Sequence, residues 1–263
     1  MSEACWLPYV ALCLAAVLAS ALTLFSGFGL GTLLLPVFAL FFPIDLAVGL
    51  TAIVHFLNNL FKLTLVGRQA DRATVWRFGL PALGGALWGA RMLVRLADLP
   101  PLTTYPLFGT PRSIMPVNVV VAALMIGFAL FDLLPPYRHL AIDRRHLPLG
   151  GLLSGLFGGL SGHQGALRSA FLIKSGLSKE QFIGTGVVIA CLVDVARLAV
   201  YWKQLSSAVV QHNGPLLVAS TAAAFLGAWV GARWLHKVTV RGVQRLVAIL
   251  LLLIAIGLGS GML

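Results

Sequence analysis

The chain has 263 residues, of which 59% are hydrophobic and only 10% charged, and its mean hydropathy is +0.95. That balance excludes a soluble domain: a spanning helix takes about 20 apolar residues, so the chain has room for about seven or eight spans and almost no aqueous domain. A net charge of +11 would suggest nucleic acid in a soluble protein, but here it reads as Lys and Arg collected in cytoplasmic loops beside anionic lipid.

The first apolar run, Leu7 to Phe25, follows a single charge, Glu3, and lacks the basic flank of a secretory signal. It reads as the first membrane element. Residues 7–42 are apolar with a break from Ser26 to Gly31, followed by apolar runs at 44–66, 78–97 and 116–134. Residues 148–175 break again at Ser161 to Gly165, followed by runs at 180–202, 214–236 and 242–262. Cys5, Cys13 and Cys191 lie in apolar surroundings without metal-ligand spacing and read as packing residues.

The two breaks are copies. With an offset of 135, Ser26-Gly27 falls on Ser161-Gly162, Asp45 on Glu180, Gly49 on Gly184, Asn59 on Asp194 and Lys62 on Arg197. With an offset of 142, Gly85-Ala86-Leu87-Trp88-Gly89-Ala90-Arg91 recurs as Gly227-Ala228-Trp229-Val230-Gly231-Ala232-Arg233. The expected organisation is one membrane domain over residues 1–263, with repeats at 1–136 and 137–263. Gly85-xxx-Gly89 and Gly227-xxx-Gly231 would let the third element of each half pack closely on a neighbour.

Charge decides how the broken elements sit. If each is a re-entrant hairpin, twelve of the 19 basic residues face one side, Arg68, Arg72, Arg77, Arg144 and Arg145 among them. Only Arg91, Arg95, Arg112 and Lys203 face the other, with Lys62, Arg168 and Arg197 inside membrane elements. Full spanning would reduce the contrast to seven against nine, so the positive-inside rule favours hairpins, with both termini outside. Three full spans per half then give the halves opposite orientations. The predicted fold is all-α and polytopic, two inverted repeats each of a broken or re-entrant helical element plus three transmembrane helices.

Glycines at 27, 29 and 31 permit backbone turns, and irregular backbone at membrane depth survives only inside protein or beside a wet cavity. Return helices starting near Leu30 and Gly165 would aim free N–H groups at the midplane, which suits an anion. The expected contacts are Gly27, Phe28 and the backbone from Gly29 through Gly31 to Thr32, then Gly162, His163, Gln164, the backbone from Gly165 to Leu167, and Arg168. A glycine kink that serves packing alone, caps at His163 and Gln164, and a snorkelling Arg168 are the structural alternatives. His55, Asn58, Asn59 and Lys62 share one helix face; Asp194 and Arg197, three apart, can pair. Asn58, Asn59, Asp194 and Arg197 are expected to form a second wall, with His55 or Asp194 as proton carriers.

The word Gly158-Gly159-Leu160-Ser161-Gly162 also fits an intramembrane serine protease, with His55 or His163 as base. The word is short, and its first copy has no adjacent histidine. A channel of the same architecture is a further alternative. No ATP-binding loop, metal cluster or redox motif is present, so neither cofactor nor catalysis is expected; the expected partners are a small anion and lipid, not nucleic acid, and a homodimer is compatible with the chain.

A duplicated S-G-x-G-x-G break followed by apolar residues and Pro36, an aligned second helix and a GAxxGA third helix resemble the TauE/SafE sulfite exporter family, also called the 4-toluene sulfonate uptake permease family. The resemblance covers nearly the whole chain. It implies a secondary transporter of the bacterial inner membrane, driven by a proton gradient or membrane potential, moving sulfite, sulfonates or related organosulfur anions. Gly27, Gly29 and Gly31 match the first motif. The second departs, with His163-Gln164-Gly165-Ala166-Leu167-Arg168 and Phe171 where the family often has glycines ending in proline, and this implies a different anion.

Overall fold

Ten helices of eight or more residues, several shorter helical turns and one hairpin make up most of the described residues of the computed structural model, which describes residues 6–26, 30–107, 110–133, 142–203, 205, 207–234 and 240–263. The first half gives α1 (Leu7–Ser26), α2 (Leu30–Ala39), α3 (Ile44–Val66), α4 (Leu80–Ala97) and α5 (Pro116–Leu133). The second gives α6 (Leu147–Ser161), α7 (Gly165–Leu172), α8 (Lys179–Tyr201), α9 (Ser207–Trp234) and α10 (Val240–Gly259). Ile44–Gln69, Lys179–Tyr201 and Val210–Gly231 are each long and apolar enough to cross a membrane, and the protein is an all-α polytopic membrane protein.

Local chemistry sets several boundaries. Pro81 has no N–H to donate one turn back and its ring would strike the carbonyl there, and the turn before it, Val75–Gly79, widens into a π-helix. At the start of α8, Ser178 Oγ accepts from the Gln181 N–H at 3.2 Å while Gln181 Oε1 accepts from the Ser178 N–H at 3.0 Å, a complete capping box. Before the π-turn, Asp71 accepts from the Thr74 N–H at 2.8 Å, and its own N–H donates to Thr185 Oγ1 at 2.8 Å.

The Thr74 bonds hold the Asp71 carboxyl below its ordinary range. A depressed carboxyl pKa stabilises the fold above the unfolded value of about 4 and loses that contribution as pH falls through the folded value. Asp71→Ala is therefore expected to cost about 1 kcal/mol at neutral pH. In melting curves, the gap between wild type and variant should close on acidification below about pH 4.

Small residues bring the helices together. A Cβ added at Gly151, Gly155 or Gly159 of α6 would collide with the carbonyl oxygen of Phe78, Ala82 or Ala86. Both series ascend, so α4 and α6 run parallel with backbones in contact. Gly227 and Gly231 of α9 meet Val17 and Ala21 of α1 in the same way. The other large contacts join α3 to α8 and α5 to α10.

The second broken element reverses. Gly162 ends α6 with φ 76°, left-handed backbone that glycine adopts freely. α7 then returns until the Phe171 ring lies on Gly150 and the Ala170 carbonyl accepts from the Ile142 N–H at 3.2 Å. Both outer ends of this hairpin lie at the end of the bundle where α3 finishes against Gly184 of α8. At the opposite end, Pro43, Leu93, Val94, Tyr201 and Leu205 line a cavity of about 260 Å³.

The stretch between α4 and α5, which falls between the apolar runs at 78–97 and 116–134, forms a hairpin of β1 (Thr103–Leu107) and β2 (Thr110–Ile114), with Tyr105 opposite Arg112. The Tyr105 hydroxyl donates to the Ser260 carbonyl, and Arg112 Nη1 donates to the Met262 carbonyl at 3.2 Å, fastening it to the segment after α10. Pro106 and Pro111 masked this signal, since proline is tolerated only in edge strands.

Candidate functional site

The two breaks meet. A Cβ at Gly31, at the start of α2, would lie 3.2 Å from the Gly162 carbonyl oxygen and 3.8 Å from both His55 Cδ2 and Thr51 Cγ2. A Cβ at Gly162 would lie 3.1 Å from Arg197 Nη1. Glycine at both positions leaves the junction open to backbone groups and to the polar faces of α3 and α8. Thr32 is buried beside it, and Gly165 opens α7. Gly27, Phe28 and Gly29 lie outside the described residues.

Asp194 organises the polar faces. Its Oδ2 accepts from His55 Nδ1 at 2.7 Å and Asn59 Nδ2 at 3.0 Å; its Oδ1 lies 3.0 Å from Arg197 Nε and 2.7 Å from Nη2. Asp194 and Arg197 are fully buried, and this carboxylate has its acceptor positions filled. Arg197 Nη1, on the far side of the guanidinium, has no hydrogen-bond partner among the described residues.

Other buried polar atoms around α6 and α7 are in the same condition. His163 Nε2, both amide atoms of Gln164, Thr51 Oγ1 and Arg168 Nη1 lack partners among the described residues. His163 stacks on Phe128, centroids 5.4 Å apart, and its Nδ1 lies 2.9 Å from the Ser161 carbonyl and 3.1 Å from Ser161 Oγ. A carbonyl only accepts, so Nδ1 carries the proton and cannot take one from Ser161, whose hydroxyl donates to the Phe157 carbonyl at 3.1 Å.

The remaining sequence candidates divide. Asn59 joins Asp194. Asn58 points instead toward α1 and α9: the amide orientation that satisfies both ends donates to Ser20 Oγ at 3.1 Å and the Ala224 carbonyl at 3.2 Å and accepts from Lys62 Nζ at 3.2 Å. Arg168 lies along α8, its Nε 3.5 Å from a Cβ at Gly186. Two residues were missed. Thr51, one turn before His55, belongs to the same polar stripe; Tyr201, whose hydroxyl donates to the Gly159 carbonyl on the broken helix, has no spacing signal. Among the described residues no three His, Cys, Asp or Glu side chains converge as metal ligands.

The family model described as sulfite exporter TauE/SafE matches residues 12–258. No curated protein matches the chain.

Proposed function

The chain belongs to the TauE/SafE sulfite exporter family, a family of membrane transporters, and on that premise we propose that it carries a small oxyanion by alternating access through the junction of its two helix breaks. The cargo class is sulfite, a sulfonate or a related organosulfur anion. One observation carries the reading: a fully buried guanidinium, held on one edge by Asp194, turns an Nη1 that is unpartnered among the described residues toward Gly162, whose carbonyl lies against Gly31. An oxyanion fits that edge with a charge-assisted hydrogen bond, and the backbone at Gly31, Thr32 and Gly165, with Gln164, supplies the rest of its shell.

The coupling device in this reading is the His55–Asp194 pair. Asp194 accepts the Nδ1 proton, which leaves Nε2 of a neutral imidazole as a lone pair able to take up a proton with the cargo. His163 is fixed in the same tautomer by the Ser161 carbonyl. Bilayer-depth charge of this kind is costly unless it serves a pathway.

Alternating access draws support from an exchange of partners between the proposed repeats, 1–136 and 137–263: α1 packs on α9 and its counterpart α6 on α4, while α3 faces its own counterpart α8 and α5 faces α10. An inverted repeat can swap its two halves' conformations and so open to either side. The basic end, with Arg68, Arg72 and Lys179, is assigned to the cytoplasm of a bacterial inner membrane, which puts both termini outside.

Flux of radiolabelled sulfite, taurine and sulfate into proteoliposomes tests the reading; saturable uptake of at least one is expected, and no uptake of any of the three would contradict it. Ser161→Ala is expected to leave that uptake within about twofold of wild type, because the hydroxyl donates back along its own helix and His163 Nδ1 keeps the Ser161 carbonyl as its acceptor. Loss of transport together with loss of cleavage of a membrane-embedded peptide would instead favour a serine nucleophile.

A further inference from the structure

We propose that the junction selects oxyanions that carry a hydrogen-bond donor of their own, an N–H or O–H beside the charged group, and that Gln164 and His163 are the residues that read this donor. The inference rests on the oxyanion-carrier reading and narrows its cargo class. Both residues follow Gly162 directly. The Gln164 N–H donates to the Gly162 carbonyl at 3.2 Å, the same carbonyl that lies against Gly31, so the turn holds the start of α7 beside the glycine contact. From there the side chains part. Gln164 folds back between α6 and α8: a Cβ at Gly158 would lie 3.0 Å from Gln164 Cβ, 3.5 Å from its Oε1 and 3.1 Å from Cγ1 of Val193, the residue before Asp194. The His163 ring turns to α5 and stacks on Phe128.

Gln164 and His163 are 1% and 2% exposed, yet both amide atoms of Gln164 and Nε2 of His163 have no hydrogen-bond partner among the described residues. Their chemistry is not that of a pure anion cradle. Whichever way the amide is turned, it offers one donor group and one acceptor; with Nδ1 donating to the Ser161 carbonyl, a neutral imidazole offers only a lone pair at Nε2. Beside the Arg197 Nη1 donor, the turn therefore sets two acceptors. An oxyanion without a donor can fill the N–H groups, but it leaves the amide oxygen and the imidazole nitrogen unmade in a buried place, which carries the full desolvation penalty of each. An anion with an N–H or O–H satisfies both kinds of group. The repeat puts this chemistry on one side alone. With the offset of 135, His163 and Gln164 fall on Phe28 and Gly29, which bring no side-chain acceptor.

The test uses the whole chain in detergent at one fixed pH and measures Kd by titration for two probes of the same charge and similar shape: sodium sulfamate, whose amino group donates, and sodium methanesulfonate, whose methyl group does not. Wild type is expected to bind sulfamate roughly tenfold or more tightly than methanesulfonate. Gln164→Met keeps the length of the side chain and should melt no lower than wild type without anion, since the amide it removes has no partner among the described residues. Gln164→Met and His163→Phe should each narrow the ratio of the two Kd values by about threefold or more, mainly by weakening sulfamate. A merely structural role would weaken both probes alike and leave the ratio unchanged. If wild type binds the two probes equally, or methanesulfonate more tightly, donor selection is overturned and the carrier reading stands; that comparison decides even where a variant does not purify. If wild type binds neither probe, both readings fall. A wild-type preference for sulfamate that persists undiminished in both variants overturns the assignment to Gln164 and His163.

Discussion

Arg197→Gln is expected to abolish anion binding at the junction and transport, the largest functional effect of any single substitution in the chain. The guanidinium has two jobs on two edges: Nε and Nη2 hold Asp194 at 3.0 and 2.7 Å, and Nη1 faces Gly162. Glutamine keeps a donor but removes the charge, which forfeits a charged hydrogen bond to the cargo of about 1.5–3 kcal/mol. It also breaks a buried ion pair, with an expected stability loss of about 3–5 kcal/mol, moderated because His55 and Asn59 still serve Asp194. Arg197→Lys separates the two jobs. An ammonium can keep the Asp194 pair but cannot reach both ways in one plane, so this variant should melt close to wild type and still bind sulfite at least tenfold more weakly, as read by titration. Wild-type binding in Arg197→Lys would remove Nη1 from the account.

The largest structural effect is expected at Gly155. A Cβ there would fall inside the Ala82 carbonyl group, and the atoms in the way are backbone, which cannot swing aside. Because α4 and α6 touch at successive glycines from both sides, Gly85 and Gly89 included, relief at one point means separating the helices along their length. Gly155→Val should therefore exceed the about 1–3 kcal/mol of ordinary overpacking and leave no monodisperse protein on size-exclusion chromatography in detergent. Gly84→Ala and Gly127→Ala are the controls. Nothing lies within 4 Å of a Cβ at either position, and helix propensity alone favours alanine there by up to about 1 kcal/mol. A Gly155→Val protein that purifies and melts like these controls would mean that the α4–α6 contact is not what sets the hairpin in place.

Much of this architecture was legible in the residues because membrane helices are written in composition. The apolar runs at 44–66 and 116–134 correspond to α3 and α5 within a residue, and the break at Ser161 to Gly165 corresponds to the interval between α6 and α7. The GAxxGA words mark the close helix contacts because backbone approach requires small residues. The site was legible only by halves. Asp194 and Arg197 are three apart on one helix, so their pairing follows from helical geometry; His55 and Asp194 are 139 residues apart, and no periodicity joins them. Arg168 follows the break by only a few residues, which suggested a place at the junction. The structure shows its guanidinium lying along α8 at Gly186, a contact no spacing in the sequence announces. Tyr201 closes a span as aromatic residues often do at a membrane surface, and only the fold reveals its hydroxyl on the Gly159 carbonyl.

Counterflow in proteoliposomes tests the central claim most directly. Vesicles loaded with unlabelled sulfite and diluted into trace radiolabelled sulfite should accumulate label transiently above equilibrium, because a carrier that alternates access returns faster when loaded. Arg197→Gln vesicles made and sized in the same way should show no overshoot. Label that only equilibrates in wild type, with a rate rising linearly with concentration, would contradict alternating access and identify a channel; an undiminished overshoot in Arg197→Gln would contradict the junction as the site.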